Sequence, residues 1–156
     1  MAKHHLFQEV GGTSANFLVE IDGVEIGQFA ECQGLQVELE IETYAEGGMN
    51  GFEHKLPGRV TWPNIVLKRG VTFDDRLFGW FNASGGATFA AKGKVDRKTV
   101  GVTMIAPNGE RLRTWKLQDA LPVRWTGPTF ATSSDDQLTE ELEVAHHGFA
   151  AETLKQ

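Results

Sequence analysis

A single cysteine, Cys32, excludes any intrachain disulfide, so the fold must be held by packing alone. With no catalytic motif around it, Cys32 reads as a small buried thiol. No apolar run approaches the ~20 residues a helix needs to cross a bilayer. The first ten residues, MAKHHLFQEV, lack an apolar stretch followed by a cleavage site, which points to a cytoplasmic product. Basic residues are also few: 15 Lys and Arg stand against 21 Asp and Glu, a formal net charge of −6. A sequence-independent grip on nucleic acid needs clustered cations. The one basic stretch (Lys92, Lys94, Arg97, Lys98) is interrupted by Asp96, so no nucleic-acid partner is expected.

Catalytic signatures are missing too. No glycine-rich phosphate loop opens a helix after a strand, and there is no G-x-S-x-G elbow. His146 and His147 are neighbours on an expected strand, where adjacent side chains point to opposite faces, so they cannot share one metal ion. His4 and His5 lack further ligands. The expectation is a chain that is not an enzyme and uses no metal or cofactor.

What the chain does have is aromatic bulk and glycine: ten Phe, four Trp and 18 Gly in 156 residues. That suffices for one core, expected over residues 15–150. Residues 1–14, ending Gly11-Gly12-Thr13-Ser14, read as a flexible leader, and 151–156 as a tail. Alternation of apolar and polar residues marks strands at Asn16–Ile21 and Val24–Phe29, joined by a tight Asp22-Gly23 turn. Gly34 breaks or bulges the next strand, Leu35–Tyr44, and Asn64–Lys68 follows. A helix should start at Thr72, with Asp75 completing a T-x-x-D capping box. Phe73, Leu77, Trp80 and Phe81 would form its apolar stripe, and Ser84-Gly85-Gly86 would stop it. Lys98–Ile105 and Glu110–Leu117 read as a hairpin with a type I′ turn at Asn108-Gly109. Leu121–Thr126 is expected as a short edge segment. After a polar loop at Thr132–Gln137, Leu138–His146 should place Leu138, Leu142 and Val144 inward. About eight strands with one helix, and no alternation of strand and helix, predict a mainly β fold, an antiparallel β-sandwich or barrel.

Between Tyr44 and Gly70 the chain makes a long polar excursion. Gly47, Gly48, Gly51 and Gly58, with Pro57 and Pro63, deny Ala45–Pro63 a regular helix or a central strand, so it is expected to be an ordered, extended arm. Just before it, Val37, Leu39 and Ile41 alternate with Gln36, Glu38, Glu40 and Glu42. The row Glu38, Glu40, Glu42 suits an ordinary water-facing sheet surface, or the wall of a water-filled channel where like charge discourages sticking. Catalytic paired carboxylates are disfavoured, because same-face neighbours on a strand lie ~7 Å apart with no apolar pocket implied. Unpaired sheet edges and a long arm are compatible with ring-forming self-association, and also with a monomeric β-sandwich that binds a ligand on the 45–63 loop.

The segments FLVEIDGVEIGQFAECQGL, ETYAEGGMN, HKLPG, NIVLKRGVT, LPVRWTGP and ELEVAHHGF, in that order from Asn16 to Phe149, resemble the tail-tube protein family of contractile phages. The match looks closer to the tube proteins of tailocins and extracellular contractile injection systems. The resemblance implies a barrel-like subunit with one flanking helix, similar in fold to the hemolysin-coregulated protein of type VI secretion. It implies hexameric rings stacked into a tube, made in the bacterial cytoplasm and then built into an injection particle or phage tail. Implied partners are copies of itself, a contractile sheath protein, baseplate and tube-initiator proteins, and cargo in the lumen. By matching positions, Glu46–Gly58 corresponds to an inter-subunit arm, with Gly47 and Gly48 turning it. Asn50 lies within it, and Lys55-Leu56-Pro57-Gly58 form its return. Leu77-Phe78-Gly79-Trp80-Phe81 and the Gly- and Ala-rich 82–94 depart from the family pattern, leaving open a main tube subunit or a tube-initiating relative.

Overall fold

A computed structural model describes residues 16–85, 93, 95–133 and 137–154. The expected leader at 1–14 lies outside these residues, as do Gly86 and the middle of the loop at 132–137. The described residues form ten strands and one helix: β1 (Asn16–Ile21), β2 (Val24–Phe29), β3 (Glu31–Gln33), β4 (Glu38–Tyr44), β5 (His54–Thr61), β6 (Ile65–Gly70), α1 (Arg76–Ser84), β7 (Lys98–Ile105), β8 (Arg111–Thr126), β9 (Thr139–Ala145) and β10 (Phe149–Thr153). Eight of the strands form one antiparallel sheet in the order β2-β1-β7-β8-β9-β6-β3, with β10 also bonded to β8. The sheet curls until its two edges meet, where Ala30 N donates to Lys68 O at 3.0 Å. The remaining pair, β4 and β5, makes a separate two-stranded ribbon.

Local chemistry explains most of these elements. Asp22 and Gly23 both have positive φ (50° and 79°), giving the two-residue turn whose twist matches the β1–β2 hairpin. Inside the curled sheet, Val19, Ile21, Phe29, Leu67, Val100, Val102, Leu117, Leu142 and Val144 form the core, each at an alternate position of its strand. β7 is buried on both faces, and the hydroxyls of Thr103 on β7 and Thr114 on β8 meet at 2.8 Å.

Several expectations are corrected. The helix begins at Arg76 with Asp75 as its N-terminal boundary, and no side-chain cap bond forms there. Instead Thr72 Oγ1 accepts from Asp74 N (3.3 Å) and Asp74 Oδ1 accepts from Arg76 N (3.0 Å), so two consecutive side-chain turns take the place of the capping box. The Arg76 side chain, hydrogen-bonded to Asp74, holds that carboxyl down at about 2. Of the apolar stripe, Leu77 and Trp80 are buried and Phe81 is half-buried, but Phe73 lies before the helix and is fully exposed.

At Asn108-Gly109 only Gly109 has positive φ (87°), and Gly109 N donates to Ala106 O at 2.9 Å. This is a type I turn with a glycine bulge, not the type I′ turn, which needs positive φ at both residues. The segments expected at Glu110–Leu117 and Leu121–Thr126 are one 16-residue strand, β8. Pro122 is accommodated at an irregularity in the pairing with β9, where the ladder tolerates a residue without an N–H. Leu138 precedes β9 and is exposed.

Trp80 closes the core under α1, only 5% exposed, with its indole Nε1 donating to Asp96 O at 3.4 Å. Trp80→Ala is expected to cost ~3–5 kcal/mol, read as a lower denaturant midpoint with an unchanged slope.

Candidate functional site

The expected irregular arm is in large part regular. β5 (His54–Thr61) lies inside it and pairs antiparallel with β4, so the projection is a β-ribbon closed by a loop at 45–53. The return segment Lys55-Leu56-Pro57-Gly58 is part of β5. Proline hid this strand in the sequence, yet a two-stranded ribbon has an outer edge where a missing N–H leaves no ladder bond unmade. The register shifts between Leu39 and Ile41, opposite Gly58. A Cβ at Gly58 would sit 3.1 Å from Glu40 O, so glycine allows the two backbones their close approach there. The strand expected from Leu35 begins instead at Glu38, because Gly34 turns the chain with φ of +90°.

At the tip, Met49 N donates to Glu46 O (3.2 Å), and Gly48 takes φ of +91°. Glu46 Oε2 meets His54 Nε2 at 3.2 Å, and the Phe52 ring stands edge-on to His54 with centroids 5.1 Å apart. Glu46, Gly47, Gly48 and Asn50 are thus gathered in the loop, and Lys55, Leu56, Pro57 and Gly58 on the returning strand.

Every residue of β4 is exposed, and all of β5 except the half-buried His54. The apolar alternation of Leu39 and Ile41 therefore does not point into this subunit's own core, as a half-buried strand would. Pairing places Leu39, Ile41 and Val60 on one face of the ribbon and Glu38, Glu40 and Glu42 on the other. Leu39 is 49% exposed, Ile41 47%, Tyr44 60% and Phe52 58%. Two-stranded ribbons are marginal in water by themselves, and this one leaves its apolar side chains uncovered by the described residues of the chain.

A buried ion pair, missed in the sequence, joins β6 to β9 in the barrel. Arg69 on β6 and Glu140 on β9 are directly opposite and joined through Arg69 Nε and Glu140 Oε1. Arg69 also donates to Asp74 O (3.2 Å) and lies over the Phe29 ring at 5.1 Å, while Trp125 Nε1 donates to Glu140 Oε2 (3.3 Å). The signal was present in phase: Ile65, Leu67 and Arg69 share one face, as do Glu140, Leu142 and Val144. Cys32 packs against the core, where burial pushes its thiol up to about 12, far from a reactive thiolate. His146 and His147 make separate contacts, His146 with Pro63 O (2.9 Å) and His147 with Asp119 (3.4 Å). Among the described residues no three His, Cys, Asp or Glu side chains are grouped to hold a metal ion.

The fold and its projection define a class: a curled antiparallel barrel with one flanking helix and an uncovered β-ribbon. Residues 13–150 match the family of the T4-like virus tail tube protein gp19, and the chain belongs to that family. It is a structural subunit of the tube of a phage tail or a contractile injection particle. Among solved structures it is similar to a chain of an extracellular contractile injection system, the PVC sheath–tube complex in its extended state. There the TM-score is 0.77 at 25% identity, over 94% of this chain and 95% of that one. It is also similar to a chain of the anti-feeding prophage (AFP) baseplate, 6-fold symmetrised, with TM-score 0.75 and 22% identity over 97% and 100% of the two chains. Hcp1 from Flavobacterium johnsoniae shares the fold at TM-score 0.52 and 15% identity, over 90% of this chain and 99% of that one. A search among curated proteins finds no significant relative.

Proposed function

We propose that six copies of the chain close into a ring, that rings stack into a hollow tube, and that the β4–β5 arm joins one copy to the next. The arm carries the proposal. Its apolar face is open, while the core of the barrel is complete without it. A head-to-tail interface, in which the arm of one copy lies on the body of another, closes into a ring when its rotation divides the circle. The number six follows the symmetry of the baseplate to which the AFP neighbour belongs. Val71, Phe73, Phe78, Phe130 and Leu138, all exposed large apolar side chains outside the arm, supply further interface.

With Leu39, Ile41 and Val60 turned to a neighbouring copy, Glu38, Glu40 and Glu42 face the lumen. A like-charged wall keeps cargo from adhering. The outer surface meets a contractile sheath protein, as the tube of the PVC complex does, and the tube begins on baseplate or initiator proteins. Assembly takes place in the bacterial cytoplasm. The work is mechanical: contraction of the sheath drives the tube, which contributes stiffness and a conduit.

Negative-stain microscopy of the purified full chain tests this directly. Annuli or tubes are expected. Monomers of 17.2 kDa at every concentration would overturn the proposal in favour of a monomeric binding module.

A further inference from the structure

We propose that Gly34, Trp62 and His146 form a clamp at the root of the arm that fixes its direction, so that assembly depends on the clamp while folding of the barrel does not. The inference rests on the arm being the element that joins copies.

The outgoing and returning ends of the arm touch. A Cβ at Gly34 would lie 2.2 Å from Asn64 O, and φ at Gly34 is +90°, so no other residue fits where the two backbones meet. Just beyond β5, Trp62 stands edge-on to Phe149 with ring centroids 5.1 Å apart, and 6.0 Å from the His146 ring. Trp62 also covers Gly148, where a Cβ would come within 3.1 Å of the indole and φ is +119°.

His146 ties these parts together, only 7% exposed. Its Nδ1 accepts from Gly148 N at 3.1 Å, and its Nε2 lies 2.9 Å from Pro63 O. Since an amide N–H can only donate and a carbonyl can only accept, the ring is neutral with its hydrogen on Nε2. One imidazole therefore links the break between β9 and β10 to the residues that leave the arm. Next to it, Asn64 Nδ2 donates to Glu143 Oε1 at 2.8 Å.

Among the described residues the arm itself has no comparable hold on the barrel. Its tip contacts are internal (Glu46 with His54, Phe52 with His54), and a Cβ at Gly47, Gly48 or Gly51 would meet nothing within 4 Å. Aim is therefore set at the root. An eight-residue strand such as β5 is ~27 Å long at ~3.4 Å per residue, so a ~10° swing at its base moves its end by ~5 Å, about one strand spacing. That is enough to put every side chain out of register with a partner.

Two substitutions at His146 separate aim from folding. His146→Gln places an amide N–H where Nε2 stood and keeps the bond to Pro63 O. His146→Asn keeps an acceptor for Gly148 N but cannot reach Pro63. Each is measured for fold by near-ultraviolet circular dichroism and denaturant midpoint, for assembly by sedimentation, and for arm order by amide exchange in β4 and β5. His146→Asn is expected to fold, to exchange faster along the arm, and to assemble about tenfold more weakly, the effect of one well-placed hydrogen bond. His146→Gln should assemble within about twofold of the parent chain. Should His146→Asn fail to fold, Trp62→Leu carries the same test from the other side of Gly148, with the same expectation.

Equal assembly of the Asn and Gln variants, or assembly that falls only in step with stability, would overturn the clamp. A chain carrying Ile41→Asp and Val60→Asp, on the apolar face of the arm, distinguishes this from failure of the arm reading. If that chain assembles normally, the arm is not the joining element. If it is assembly-dead while His146→Asn assembles normally, the clamp alone is wrong.

Discussion

A chain carrying Ile41→Asp and Val60→Asp is expected to fold as a monomer and to form no rings or tubes. The two side chains are 47% exposed each and share one face of the arm with Leu39. In the isolated subunit they touch water, so charging them should change monomer stability by no more than about 0.5 kcal/mol each. In an assembled interface the same positions are dry, and an unpaired buried carboxylate there is penalised by several kcal/mol. Two such penalties weaken association by more than about a thousandfold. Sedimentation velocity against concentration, with the melting curve as the control for folding, reads both effects. Assembly at the parent concentration would show that this face of the arm is not buried between copies.

Glu140→Ala should act in the opposite way, on the subunit before any assembly. Arg69, its partner, has a side chain only 3% exposed, covered by the Phe29 ring. Removing the carboxylate leaves a guanidinium out of water with the Asp74 carbonyl as its remaining hydrogen-bond acceptor, and frees the Trp125 indole N–H as well. Breaking a buried pair from one side costs ~3–5 kcal/mol. For a domain of this size that lowers the melting temperature by about 10 °C. The double change Arg69→Met with Glu140→Leu should recover most of the loss, since it removes both desolvated charges together. Melting is best followed where the parent chain is still monomeric, because assembly would raise the apparent value. A single Glu140→Ala as stable as the parent would mean that the pair is not buried in solution.

The sequence made some elements legible and hid others for identifiable physical reasons. β1 and β2 were plain because apolar residues on one face were joined to the Asp22-Gly23 turn, and β7 because of strong β formers such as Val100 and Val102. The projection at residues 45–63 was legible as a departure from the core, since its glycines and prolines forbid a central strand. That it is a ribbon was not, because Pro57 and Gly58 are ordinarily strand breakers and only an edge without a neighbour tolerates them. β8 was read as two strands because Pro122 and Gly127-Pro128 bound a short second segment; in the structure Pro122 and Asp119, with φ of +49°, belong to local distortions that leave the strand continuous. β3 and β10 are too short for periodicity to register. Arg69 and Glu140 were overlooked because charge was taken to mean surface, although both stand in phase with buried residues on their strands. The clamp at His146 depends on contacts between residues 34, 62–64 and 146–149, a separation that no local pattern encodes.

The uninterrupted course of β8 bears on how the subunit takes a load. It hydrogen-bonds to β7 and β10 through its first part and to β9 through its last, so one strand is shared by both halves of the sheet. Neither half can slip its register without dragging that common spar along. A thrust on the barrel is therefore borne by both halves together through one continuous strand.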